Sequence, residues 1–221
     1  MTLVAKPEGR EIVCHVSFAE PIFNPFEDKH FMPLLTRINK DFGVRLNDIT
    51  INKGALSDGI LAFSVFEGRT WFRVSYGVEE VTASMVHPQS EEQVARLYFT
   101  LSEYFRTHKL GRQQITFRYH LSLETDAIEY LRSLNPDIPP GFEAELESSG
   151  VSYALRIPED ELSIYISLSA SLLVDGGLYF TIDYDFAPSI HDFSGALKVA
   201  EERLNFVQGA LGMNIKAGEG E

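Results

Sequence analysis

The sequence predicts an α+β fold of two tandem related units, each an antiparallel sheet with a long C-terminal helix packed on one face. Two observations predict it. Short segments alternate apolar and polar residues at the period of a strand, and each group of them is closed by a stretch of helical period. The order strand, helix, meander, helix then occurs twice at an offset of roughly a hundred residues, a domain-sized period far above that of solenoid repeats.

The first unit is read over residues 1–110. REIVCHVSF (10–18) alternates Ile12, Cys14, Val16 and Phe18 with Val13, His15 and Ser17, as a strand with one better-buried face does. From Asp28, the apolar residues Phe31, Leu34, Leu35, Ile38 and Phe42 recur at helical spacing and stop at Gly43, which suits a left-handed cap. Pro33 argues for a later start to that helix, because proline has no N–H to donate and crowds the preceding turn. LNDITIN, GILAFSVF, TWFRVSY and EEVTASMV read as a four-strand meander, punctuated by Ser57-Asp58-Gly59 and Glu67-Gly68. Ser90 caps the next helix in a capping-box arrangement with Gln93. Its apolar face is Val94, Leu97, Tyr98, Leu101, Phe105 and His108, and it ends near Leu110-Gly111.

The second unit is read over residues 111–215. QQITFRYHLSL (113–123) sets Ile115, Phe117, Tyr119, Leu121 and Leu123 against Thr116, Arg118, His120 and Ser122. A helix over Asp126 to Leu134 is halted by NPDIPPG, since proline biases the residue before it toward extended backbone. FEAELES, VSYALRI, LSIYISLSASLLV and LYFTIDYDF read as strands. A closing helix keeps Phe193, Leu197, Ala200, Leu204, Val207 and Leu211 on one side. The expected core includes Leu97, Leu101, Phe117, Ile166, Ile182, Leu197 and Leu204, and AGEGE (within 216–221) is expected to be a disordered tail. Two such sheets joined edge to edge would make one continuous sheet and remove an exposed edge.

Composition narrows the function classes. A 221-residue chain that is 44% hydrophobic can bury a sizeable core as one large domain or two small ones. No run reaches the roughly 18 apolar residues that span a bilayer, and MTLVAKPEGRE lacks the apolar core of a secretion signal, so a soluble cytoplasmic protein is expected. Cys14 is the only cysteine, which excludes an internal disulfide or a thiolate metal cluster within one chain. The formal charge of -13 is unequal: residues 1–110 hold 12 Lys+Arg against 14 Asp+Glu and residues 111–221 hold 7 against 18, or -2 and -11. Such a surface repels phosphate backbones, so nucleic acid is not an expected partner of the second half.

Each cluster of candidate chemistry also has a structural explanation. In YFTIDYDFAPSIHDF (179–193), Asp183 and Asp185 share a strand face, and with His191 and Asp192 they are the oxygen-rich set a hard cation would need. Alternation alone also accounts for them, with the two aspartates on a solvent face, Pro188 separating them from the rest, and Asp192 or Ser189 capping a helix. Ser163, Tyr165, Ser167, Ser169 and Ser171 fall on one side of a strand, without the strained elbow and positioned base of a serine nucleophile. His15 and His120 lie on the less apolar faces of corresponding strands, without metal-binding spacing. Trp71, Phe72 and Tyr76 make an aromatic strand better suited to packing than to a ligand. No catalytic residue, metal ligand or cofactor site is therefore assigned.

ITFRYHLSL, NPDIPPGF, LYFTIDYDF and the closing LNFVQGAL resemble the C-terminal part of a sporadically distributed bacterial family of uncharacterised proteins, and FEGRTWFRVSYGVEEV resembles its first half more loosely. The resemblance implies tandem sheet-plus-helix units in a bacterial cytoplasmic protein and carries no catalytic residues. The layout of strands followed by a long helix is also similar to SecB-like chaperone subunits, which bind extended polypeptide. The expectation is a non-enzymatic scaffold that binds another protein or a peptide segment, with no membrane partner and with homodimerisation as a remedy for any uncovered sheet edge. Two alternatives stand beside it: an enzyme or small-ligand binder whose site is assembled from distant residues, and an acidic mimic of nucleic acid. A deep polar pocket of converging ionisable groups would favour the former, and a broad shallow apolar patch the scaffold.

Overall fold

The computed structural model describes residues 3–21, 28–43, 49–52, 60–67, 70–77, 79–88, 90–134, 150–188 and 192–216. In chain order the first elements are β1 (Leu3–Phe18), α1 (Asp28–Phe42), β2 (Ile49–Asn52), β3 (Ile60–Glu67), β4 (Thr70–Tyr76), β5 (Glu80–Val86) and α2 (Glu91–Phe105). They are followed by β6 (Leu110–Leu123), α3 (Ala127–Leu134), β7 (Gly150–Ile157), β8 (Leu162–Ala170), β9 (Leu178–Phe186), α4 (Phe193–Ala210) and β10 (Met213–Ile215). The predicted strand FEAELES lies outside the described residues.

The described strands form one sheet of order β2-β3-β4-β5-β1-β6-β9-β8-β7, antiparallel throughout, with β10 added in parallel against the start of β1. β1 and β6 are central and pair directly, Ile12 opposite Phe117 and Cys14 opposite Ile115. Each is flanked on its outer edge by the last strand of the meander that follows it, β5 beside β1 and β9 beside β6. The fold is α+β, as expected, and the sheet is continuous across its centre.

Register carries the strand period across the whole width. Met85, Ile12, Phe117, Ile182 and Ile166 stand in one row on one face, and the last four are 0–4% exposed. The helices cover that face. Phe105 of α2 stacks on Phe193 of α4 at 5.7 Å and meets Phe18 of β1 at 5.4 Å, so three elements close over one aromatic cluster. The neighbouring row on the other face, Val13, Thr116, Asp183, Tyr165 and Ala154, has no helix packed on it among the described residues.

Local signals act where the sequence places them. The Ser90 hydroxyl accepts from Gln93 N at 3.2 Å to cap α2, and the Asp192 carboxylate accepts from Gly195 N at 2.7 Å to cap α4. Gly43 follows α1 at φ +65°, the left-handed geometry that glycine adopts without a Cβ clash. Pro33 does not delay α1, which begins at Asp28 and runs through it. Leu34 and Ile38 are fully buried on the following turns, and that anchorage offsets the lost hydrogen bond.

Other expectations are corrected. β1 begins at Leu3, not Arg10, because it continues past a register shift between Pro7 and Gly9. β8 ends at Ala170, and Leu172 and Leu173 lie in the turn beyond it, 98% and 77% exposed. Leu204 is only half-buried, whereas Leu197 on the same side of α4 is 3% exposed. The cause is a cleft between the start of α2 and the second half of α4, on whose wall Leu204 stands. The two helices run antiparallel from the contact of Ser102 with Ser194, 3.1 Å between hydroxyls, which brings the start of α2 at Glu91 level with the neighbourhood of Leu204, and they leave the cleft between them there.

Candidate functional site

The aspartates of YFTIDYDFAPSIHDF are not the free solvent face that alternation suggested. Asp185 is 15% exposed in its side chain and takes both arms of Arg112, the Nε at 2.6 Å, and Asp183 accepts from the buried Thr116 hydroxyl. The register explains it: Asp183 faces Thr116 across the ladder, and Asp185 lies within diagonal reach of Arg112. Their oxygens serve the sheet and do not converge with Asp192, which caps α4; His191 lies outside the described residues. Among the described residues no group of three or more His, Cys, Asp or Glu is placed to hold a metal ion.

The remaining candidates separate as well. Ser163, Tyr165, Ser167 and Ser169 do share the helix-free face, with Tyr165 48% exposed, while Ser171 leaves the strand to accept from Leu173 N and Val174 N at 3.1 Å. His15 pairs in register with Gln114 and contacts Thr82 and Glu80, whereas His120 lies opposite Gly9, about 20 Å away along the strand. His120 stacks on Tyr179 at 4.7 Å, and burial, together with His87, holds it below the ordinary histidine range. Cys14 is buried against the Tyr98 hydroxyl, and burial pushes the thiol up to about 12, which makes it unreactive. The side chains of Trp71, Phe72 and Tyr76 lie outside the described residues.

What the structure brings together was not selected from the sequence. Along one edge, β1 pairs with β10 over Leu3–Ala5 and with β5 over Glu11–Ser17, which leaves the intervening stretch without a strand partner among the described residues. Pro7 and Gly9 sit in this break, the residues that weaken a ladder and permit a bulge. Two clefts open there from opposite faces. On the helix-free face one of about 450 Å³ lies among Gly9, Arg118, His120, Leu173 and Tyr179. On the helical face one of about 530 Å³ lies between the start of α2 and the second half of α4, with Leu204 on its wall.

The second cleft has the denser chemistry. Arg10, at the position of β1 that faces the helices, lies over the Tyr119 ring at 5.7 Å and donates to both carboxylate oxygens of Glu91, one contact being 2.9 Å. Its side chain is 18% exposed, and its Nε is buried without a hydrogen-bond partner. Burial opposes the charge, but Glu91, Tyr119 and Glu201 outweigh it and hold the guanidinium protonated. Glu201 of α4 is half-buried beside them, and burial, then repulsion from Glu91, raises its carboxyl above the usual range despite Arg10. A usable signal was present. Period two puts Arg10 on the face of Ile12, Cys14 and Val16, where an unexplained charge demands a partner.

No protein-family model matches the chain, and no curated protein matches it.

Proposed function

We propose that the chain is a non-enzymatic scaffold for polypeptide, built from two related strand, helix, meander, helix units and docking its partner on the helix-free face of the joined sheet. The carrying observation is that face itself. It runs across β1, β6, β9, β8 and β7 with short side chains such as Ser163, Ser167 and Ser169 on one strand, and no described helix packs on it. Small hydroxyls let another backbone approach closely and offer hydrogen bonds that do not depend on its sequence. The exposed Leu172 and Leu173 stand at one end of it as apolar contacts. The equivalent placement of β1 with β5 and β6 with β9 supports the tandem reading, and the resemblance of the second half to an uncharacterised bacterial family agrees with it. No helix among the described residues is long and apolar enough to cross a membrane.

A photo-crosslinking residue placed at Tyr165 or Ser167, with Lys198 on the helical layer as the control site, tests this in the native host. The expected result is a discrete polypeptide adduct at the sheet positions, lost when Ser169→Arg obstructs the face. Adducts no different from those at Lys198 would remove the proposal.

A further inference from the structure

The cleft between α2 and α4 lies on the opposite side of the sheet from the proposed docking face and stands independently of it. Three groups there are incompletely satisfied or incompletely covered. Glu201 makes no hydrogen bond or ion pair among the described residues although it is half-buried. Glu91 spends its carboxylate on the two terminal nitrogens of Arg10, yet its side chain is 60% exposed toward solvent. Leu204, an apolar residue on the core side of α4, is left partly exposed, with Pro88 and Ile215 also on the cleft wall. One guanidinium thus stands between two carboxylates, one negative charge in excess, beside an apolar wall. An anionic guest would meet Glu91 and Glu201 and find the terminal nitrogens of Arg10 already engaged.

We infer that this cleft binds an alkylammonium, the charged end of a free amine or of a lysine side chain, with the ammonium at Glu201 and Glu91 and the alkyl stem along Leu204. The ammonium supplies the donors that Glu201 lacks and balances the charge, and the stem covers the part of Leu204 that is exposed on the cleft wall. Glu8, His87 and Lys216 also line the cleft, and the presence of Lys216 favours a guest with a single cationic end.

The test is calorimetric titration of the full chain with pentylammonium and with an acetylated, amidated Gly-Lys-Gly peptide, against 1-pentanol and pentanoate as neutral and anionic counterparts. Because the chain carries a net charge of -13, any cation is drawn to it weakly, so Glu202→Gln on the exposed side of α4 serves as the charge-matched control. The expected result is saturable binding of at least one ammonium probe, weakened about tenfold or more by Glu201→Gln and unaffected by Glu202→Gln. Leu204→Trp, which fills the cleft from a partly exposed position on its wall, should block binding while the circular dichroism spectrum is retained. Binding of the peptide alone would identify lysine as the source, and binding of pentylammonium alone a free amine. Equal losses in Glu201→Gln and Glu202→Gln, preference for pentanoate, or no saturable binding of either ammonium would overturn the inference.

Discussion

Leu197 and Leu204 stand two turns apart on one side of α4, and truncating each to alanine should have unequal consequences. Leu197 is 3% exposed under α2, so its loss leaves a sealed void and should cost about 2–5 kcal/mol. Leu204 lines an open cleft. Its removal enlarges a groove that water already enters, so the cavity contribution vanishes and only transfer remains. Three carbons at about 0.8 kcal/mol each when fully buried, and roughly two thirds or more of that here, give a cost of about 1.5–2 kcal/mol. At about 2–4 °C per kcal/mol for a chain of this size, Leu204→Ala should lower Tm by about 3–8 °C, and Leu197→Ala by more, up to about 20 °C. Urea titrations followed by far-ultraviolet circular dichroism, with unchanged slopes, would measure both. Equal losses would mean that the second half of α4 is covered as well as the first, and the account of the cleft would fail with it.

Two further outcomes are expected. Burial raises Glu201 above the ordinary value of 4.5 for its carboxyl, so the penalty of ionising it in the folded state grows from that value up to its raised folded value and is complete above both. Glu201→Gln should therefore raise Tm at pH 7, with the gain closing as the pH falls toward 4; a gain independent of pH would refute the electrostatic origin. Millimolar magnesium, calcium or manganese should leave Tm unchanged, because Asp183 and Asp185 are engaged by Thr116 and Arg112 and do not converge with Asp192. A metal-dependent rise abolished by the Asp183→Asn, Asp185→Asn double variant would overturn that assignment.

The strands and their buried faces were legible because period two survives wherever only one sheet face is covered. Ile115, Phe117, Leu162, Ile164, Phe180 and Ile182 all stand on the side that the alternation picked out. The caps at Ser90 and Asp192 were legible because each depends on contacts within a few residues. The period of α4 puts Leu204 in the core, but its exposure depends on a cleft that α4 forms with the start of a helix roughly a hundred residues earlier, and that period contains no record of it. The three residues of β10 are too few to display any period. Alternation alone makes Asp185 a solvated group, because its partner, Arg112, comes from a strand whose register only the assembled sheet defines. The cleft was equally hidden, since it joins Arg10 of β1 to Glu91 and Glu201 of two helices distant in the chain.

The parallel pairing of β10 with Leu3–Ala5 has a kinetic consequence. β1 is the first described strand to leave the ribosome, yet its neighbours β5, β6 and β10 follow at increasing distances along the chain, the last near the end of the described sequence. The outer hairpins β3-β4 and β8-β9 close short loops and can form early, whereas the middle of the sheet must await the longest loop closures. Refolding should therefore proceed from the flanks inward. Amide hydrogens of β8 would gain protection before those of Leu3–Ala5, and the break at Pro7–Gly9 would be among the last places at which the chain becomes native.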